Sequence, residues 1–201
     1  GQIYRLLGFN GNDIKNFIID FNESFTEQLN KQISSKDFLK KYRVKIVLLN
    51  LQASETGHPQ LESVIGDATD LSDYENDSFD LVFSNSVIEH LYTWENQQKM
   101  AKEAMRVGKK YFVQTPNRHF FMEAHYALPF VQYLPKNLTH FLLTKTRLSR
   151  GSKWNPKDAQ QYLDEIRLLS EREMKMLFPA ATIYKEKFIG MVKSYSAHNM
   201  S

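Results

Sequence analysis

Four short apolar runs separated by helix-length segments, then two alternating runs around an Ile-Gly turn, predict an α/β protein: a Rossmann-like, doubly wound, mostly parallel sheet with an antiparallel hairpin at its C-terminal end. Two properties of the runs support this. They are rich in β-branched and aromatic residues and are bounded by turn chemistry, as buried parallel strands are. The segments between several of them are long enough for a crossover helix.

The elements follow in order. VKIVLLNLQ (44–52) reads as a buried strand closed by the turn material SETGHP. LESVIGDATDL begins a second strand at Leu61 that stops at Gly66 and Asp67. FDLVFSN (79–85) is a third, expected to run straight into a helix that carries Glu89 and His90 on its first turn and continues to a stop at Gly108. KKYFVQTP (109–116) is a fourth, broken at Pro116. Residues 117–160 lose this rhythm, and within a single domain spanning 1–201 they are expected to form a lid or substrate-binding insertion. QQYLDEIRLLSEREMKMLFP is a helix pair, with Ser170 and Glu173 spaced as a capping box and Pro179 as the stop. ATIYKEKF and MVKSYSAH flank Ile189-Gly190 as the terminal hairpin. Upstream, Phe17, Phe21, Phe25, Leu29 and Ile33 have helical spacing, whereas Ile18-Ile19-Asp20 can equally end a strand.

Composition excludes several classes. The 201 residues are 42% hydrophobic and 24% charged, which fits one globular core. A net charge of +3 lacks the concentrated basic stripe of a dedicated nucleic-acid binder, so nucleic acid is not an expected partner. The absence of cysteine rules out disulfides, thiolate metal sites and cysteine nucleophiles. No apolar stretch is long enough to span a bilayer and no leader pattern opens the chain, so no membrane partner is expected and the cytosol is the expected compartment. A first residue of Gly1 instead of Met points to a trimmed or incomplete start.

In a doubly wound sheet the ligand crevice lies at the carboxyl ends of the strands, so the polar strand-end residues become the site candidates. The run GDATDLSDYENDSFDLVFSNSVIEHL resembles the central signature of class I S-adenosylmethionine-dependent methyltransferases, in particular the small type 11 group. That resemblance implies S-adenosylmethionine as cofactor. It places Asp67 and Ala68 at the adenine, Ser84, Asn85 and Ser86 under the methionine part, and Asp80 in a structural role. It puts Asn50, with Leu51 beside it, where the family carries a ribose carboxylate; an amide reaches a hydroxyl without the strength that a charge adds. The glycine-rich cofactor turn has two candidate positions: Leu6-Leu7-Gly8-Phe9-Asn10-Gly11, which has glycines but lies far upstream, and the segment beginning at Ile18, better spaced and acidic at Asp20 but without glycine.

His90 and His125 are candidate proton acceptors, because imidazole titrates nearest neutral pH. His119, Glu123 and His125 form a ligand-like set, but their spacing is not that of a zinc motif, and no metal is expected. Lys145, Arg147, Arg150, Lys153 and Lys157 read first as a solvated basic face. Trp94 and Trp154 read as packing residues. The expected activity is methyl transfer to a small-molecule acceptor; the alternatives are an inactive binding module of the same fold and, guided by the basic segment, an RNA methyltransferase.

Overall fold

The computed structural model describes residues 16–20 (backbone only), 45–52, 59–123 and 125–200. Seven strands form one sheet: β1 (Asn16–Asp20), β2 (Lys45–Asn50), β3 (Leu61–Ile65), β4 (Leu81–Asn85), β5 (Tyr111–Pro116), β8 (Thr182–Phe188) and β9 (Met191–His198). Their spatial order is β3-β2-β1-β4-β5-β9-β8. The first five are parallel, β9 runs antiparallel to β5, and β8 is antiparallel to β9. The chain works outward from β1 to β3 and then crosses back to β4, which makes the β1/β4 boundary the topological switch point.

β1 decides between the two readings of this segment in favour of the strand that ends at Asp20. Phe17 lies in a strand and not on a helix, paired with Ile46 on one side and Leu81 on the other, so the spacing of Phe17 from Phe21 is not a helical face. A central parallel strand is apolar on both sides and carries no period of its own, which is why an isolated count of aromatic spacing misreads it. The Gly8 segment and residues 21–25 lie outside the described residues.

Along β4, β5 and β9 alternate side chains face opposite layers. Val82, Tyr111, Val113, Tyr195 and Ala197 face a core built with α1 (Trp94–Val107) and α4 (Glu171–Leu177), whose Met100, Ala101, Ala104, Val107, Met174 and Leu177 are buried there beside Phe178. The intervening residues Phe83, Phe112, Gln114, Ser194 and Ser196 face the other way. Gly108 ends α1 with an ordinary negative φ; it is required because a Cβ there would sit 2.6 Å from Val82 and 2.8 Å from the Lys110 carbonyl. The capping box of Ser170 and Glu173 is present, and β8 and β9 meet at a tight turn in which both Ile189 and Gly190 have positive φ.

The helix expected directly after β4 begins later. Ser86 and Tyr92 both have positive φ (57° and 60°), and Thr93 is an extended N-cap accepting from the Asn96 amide, so helical geometry cannot run through residues 86–93. Glu89 and His90 instead occupy a 3₁₀ turn, Ile88–His90. Segment 117–166 holds a two-stranded ribbon of β6 (Met122–Glu123) and β7 (Leu128–Pro129), then α2 (Lys136–Lys145) and α3 (Pro156–Glu165). Tyr126, Leu128, Val131, Leu143, Ala159 and Leu163 give it a core of its own, against which Trp154 packs. Lys145, Arg147, Arg150, Lys153 and Lys157 are exposed.

Candidate functional site

The strand-end residues singled out in the sequence lie along the carboxyl edge of β3, β2, β1 and β4, with Asp20 and Ser84 flanking the switch point. Asp20 ends β1 in register with Leu49 of β2 and Ser84 of β4. Asn50 ends β2, buried, with its carbonyl accepting from the Gly66 amide at 3.0 Å, while Leu51 beyond it is exposed. The chain can bend this closely because Gly66 lacks a Cβ, which would stand 2.7 Å from Leu49. Asp67 is exposed and accepts from the Thr69 amide at 2.8 Å, an Asx turn that fixes the carboxylate and presents Ala68. That loop is tied to α1 by Glu103 and Arg106: Glu103 accepts from the Leu71 amide at 2.9 Å, and Arg106 donates to the Leu71 and Tyr74 carbonyls.

Ser84 is fully buried and its Oγ has no hydrogen-bond partner. It borders a small recess of about 20 Å³ shared with Ala68 and Leu49. An orphaned buried hydroxyl is costly, and at a strand end beside the loop that carries Ala68 it fits a polar ligand group. Ser86 follows in the left-handed region and donates from its hydroxyl to Gln114 Oε1 at 3.0 Å. Backbone strain at a non-glycine residue is characteristic of ligand sites.

Asn85 and Ser86 also border a much larger cavity of about 840 Å³ on the sheet face opposite α1 and α4. Phe83, Phe112, Phe120, Met122 and Tyr184 make it largely apolar, and Gln114, Glu123, Gln132 and Glu186 supply polar groups. Its size and lining suit a small organic molecule.

At the carboxyl end of β4 and β5 stands a cluster whose members are scattered along the chain. His90 Nε2 and His125 Nε2 are 3.1 Å apart, although the residues are far apart in the chain. His90 Nδ1 bonds Glu165 at 3.0 Å and His125 Nδ1 bonds Glu123 at 2.6 Å. Glu123 also accepts from the Tyr126 amide, which fixes the loop that delivers His125. Glu89 is fully buried, takes the Thr115 hydroxyl at 2.9 Å on one oxygen, and leaves the other without a partner. Burial pushes its carboxyl up to about 7. Burial and the adjacent His125 hold His90 below its ordinary value. For His125 burial acts downward but is outweighed by the hydrogen bond and charge of Glu123, so its value is raised.

His119 is not part of this group: its backbone amide donates to the Asn117 side chain, and the metal-capable cluster among the described residues is Glu89, His90 and His125. Sequence reasoning missed Glu165, which no local pattern connects to His90. It also gave Glu89 no role, although a carboxylate inside the apolar run VIEHL is a signal that it is buried for a purpose.

A doubly wound sheet of this order, closed by an antiparallel hairpin and with its polar strand ends gathered at the switch point, defines the class I methyltransferase fold. Residues 14–111, just under half of the chain, match the family described as "Methyltransferase domain"; the match and the fold are consistent with a class I S-adenosylmethionine-dependent methyltransferase, which implies S-adenosylmethionine as cofactor. Similar solved structures include an S-adenosylmethionine-dependent methyltransferase from Methanosarcina mazei, at 11% identity with 93% of this chain and 92% of that one covered and a TM-score of 0.52. The YcgJ protein from Bacillus subtilis aligns at 13% identity over 93% of this chain and 69% of that one, TM-score 0.55. A chain from a complex of the Haloferax volcanii Trm112 methyltransferase activator with a methyltransferase aligns at 11% identity over 98% and 87%, TM-score 0.53. No curated protein matches the sequence. Among the described residues no helix is long and apolar enough to cross a membrane.

Proposed function

We propose that this chain methylates a small molecule held in the 840 Å³ cavity, with segment 117–160 serving as its substrate-binding insertion. The observation that carries the reading is the double position of Asn85 and Ser86: they end β4 at the switch point, where the cofactor belongs, and they also line the cavity. A cofactor held by these two residues would present its methyl group toward an acceptor in the cavity, and Met122, Glu123 and Gln132 of the insertion line the same cavity.

S-adenosylmethionine supplies a methyl group made electrophilic by its sulfonium. The chain's part is to hold the two reactants in line, which can supply most of the rate in such a transfer. In this reading Asp67 and Ala68 receive the adenine, Asn50 and Leu51 the ribose, and Ser84, Asn85 and Ser86 the methionine part, with Asp20 at the neighbouring strand end in register with Ser84. His90 and His125 receive the proton that the acceptor gives up; Glu123 and Glu165 orient the two rings. The apolar cavity wall excludes water from the transfer.

The test is transfer of radiolabelled methyl from S-adenosylmethionine to a panel of small phenols, amines and carboxylic acids and, separately, to total RNA. Label in the small-molecule fraction that falls at least tenfold in Ser196→Trp, which fills the cavity from β9, supports the proposal. Label only in RNA, lost when Lys145, Arg147 and Arg150 are neutralised, would replace it with the nucleic-acid reading.

A further inference from the structure

The two histidine rings are turned toward each other in an arrangement that a proton count makes unusual. Each Nδ1 is committed to a carboxylate, Glu165 for His90 and Glu123 for His125, and a carboxylate only accepts. Both rings are therefore protonated on Nδ1, and in their neutral forms both present a bare lone pair on Nε2. Those two lone pairs face each other at 3.1 Å, with the rings nearly perpendicular at 81°. Two acceptors at that distance repel unless something positive lies between or beside them.

The surroundings favour a positive ion. Glu89, Glu123 and Glu165 bring three carboxylates to the site, Glu89 and Glu123 being almost wholly out of solvent. The unpartnered oxygen belongs to Glu89, and one ligand atom from each of Glu89, His90 and His125 lies within 4.8 Å of the others. With metal–nitrogen bonds of about 2.0–2.1 Å, the 3.1 Å separation of the nitrogens corresponds to an N–metal–N angle of about 95–102°, between octahedral and tetrahedral values. The carboxylates on Nδ1 are the partners that metal-bound histidines ordinarily have, fixing the tautomer and raising the basicity of the other nitrogen.

We propose that Glu89, His90 and His125 form a site for a divalent first-row transition metal of the zinc class. Two imidazoles and one carboxylate suit such an ion better than magnesium or calcium, which prefer all-oxygen sets. Three protein ligands leave at least one position open. Glu123, which buttresses His125, lines the large cavity, whereas Glu89, His90 and His125 stand behind that wall; the proposal extends to an acceptor oxygen that reaches the open position past Glu123. This acceptor role rests on the small-molecule methylation reading; metal binding itself does not. With a metal bound, the two histidines would serve as its ligands and no longer as proton acceptors; the metal would make the acceptor's oxygen more acidic, and its proton would pass to water before the methyl group is transferred.

The test uses the whole chain, stripped with chelator and titrated with zinc by calorimetry and with cobalt(II) by visible absorption, without cofactor or acceptor. The expected result is one equivalent per chain, a cobalt d–d spectrum, and a thermal midpoint that rises with zinc. His90→Ala and His125→Ala should abolish all three, while His140→Ala, remote from the cluster, should leave them unchanged. Glu89→Gln keeps the side-chain volume and guards against simple unfolding: it should weaken zinc binding at least tenfold while its midpoint in chelator is no lower than that of the parent. Absence of stoichiometric uptake, meaning that the rings share only a proton, or uptake equal in parent and histidine variants, would overturn the site. If the metal binds but chelator-treated protein methylates its acceptor at full rate, the acceptor role falls; because none of the binding steps uses cofactor, their failure is separable from failure of the methylation reading.

Discussion

Gln97 provides the sharpest test of how the fold holds the site. It is fully buried on α1, with Nε2 donating to the carbonyls of Ile88 (2.9 Å) and Arg167 (2.8 Å) and Oε1 accepting from the Arg167 guanidinium at 2.6 Å. These bonds clamp the 3₁₀ turn carrying Glu89 and His90 to the loop before α4, where the Arg167 amide also donates to the Glu89 carbonyl at 2.7 Å. Gln97→Met keeps the length and volume but removes all three bonds and orphans two carbonyls. At about 1 kcal/mol for each neutral bond and about 1.5–3 kcal/mol for the one to a charged donor, the loss is about 4 kcal/mol. For a domain of this size that lowers the midpoint of thermal melting by about 8–16 °C. Urea denaturation followed by circular dichroism should show a lower midpoint with an unchanged slope. A destabilisation under about 1 kcal/mol would refute the reasoning, because it would mean that the clamp is solvated or redundant.

Acidification tests the loop that presents Asp67. The hydrogen bond to Arg106, opposed in part by burial, holds the Glu103 carboxyl below its ordinary 4.5. A carboxylate with a depressed folded value contributes stability that is complete above the unfolded value and is lost as pH falls through the folded one. Glu103→Gln should therefore lower stability near neutrality and flatten its decline below about pH 4.5 relative to the parent, as read by denaturant titration across pH; parallel pH profiles for the two would contradict the assignment. Ser170→Ala removes the N-terminal cap of α4 and should cost about 0.5–2 kcal/mol in the same assay. Phe178→Ala opens a cavity between Tyr111 and the α4 face and should cost about 3–5 kcal/mol.

The strands were legible where burial imposes β-branched runs between turns: β2, β3, β4, β5 and the terminal pair were all read from the sequence, as were the capping box and the stop at Gly108. β1 was legible only as one of two readings, because a central strand lacks alternation and the aromatic spacing from Phe17 onward also fits a helical period. The late start of α1 was hidden in Ser86 and Tyr92, whose positive φ belongs to a tertiary constraint and not to residue type. The strand-end residues could be nominated because topology alone gathers them at one edge. His90 and His125 could be named individually for their chemistry, but their contact, and the carboxylates behind them, come from the path of segment 117–166 folding back over the sheet, which no local pattern encodes. Asn50 remains a departure from the family's acidic ribose position; its burial at the end of β2 places an amide where a charged group would need compensation.

In the proposed function the strand ends of β2, β3 and β4 form a working cofactor site. Calorimetric titration with S-adenosylhomocysteine tests it most directly. The account predicts saturable one-to-one binding in the parent and, at a hundred times the dissociation constant, a stabilisation of about 2.7 kcal/mol, with the affinity of Asp67→Ala reduced at least tenfold. A parent that shows neither heat nor stabilisation at millimolar ligand would contradict it and leave a methyltransferase fold without its cofactor.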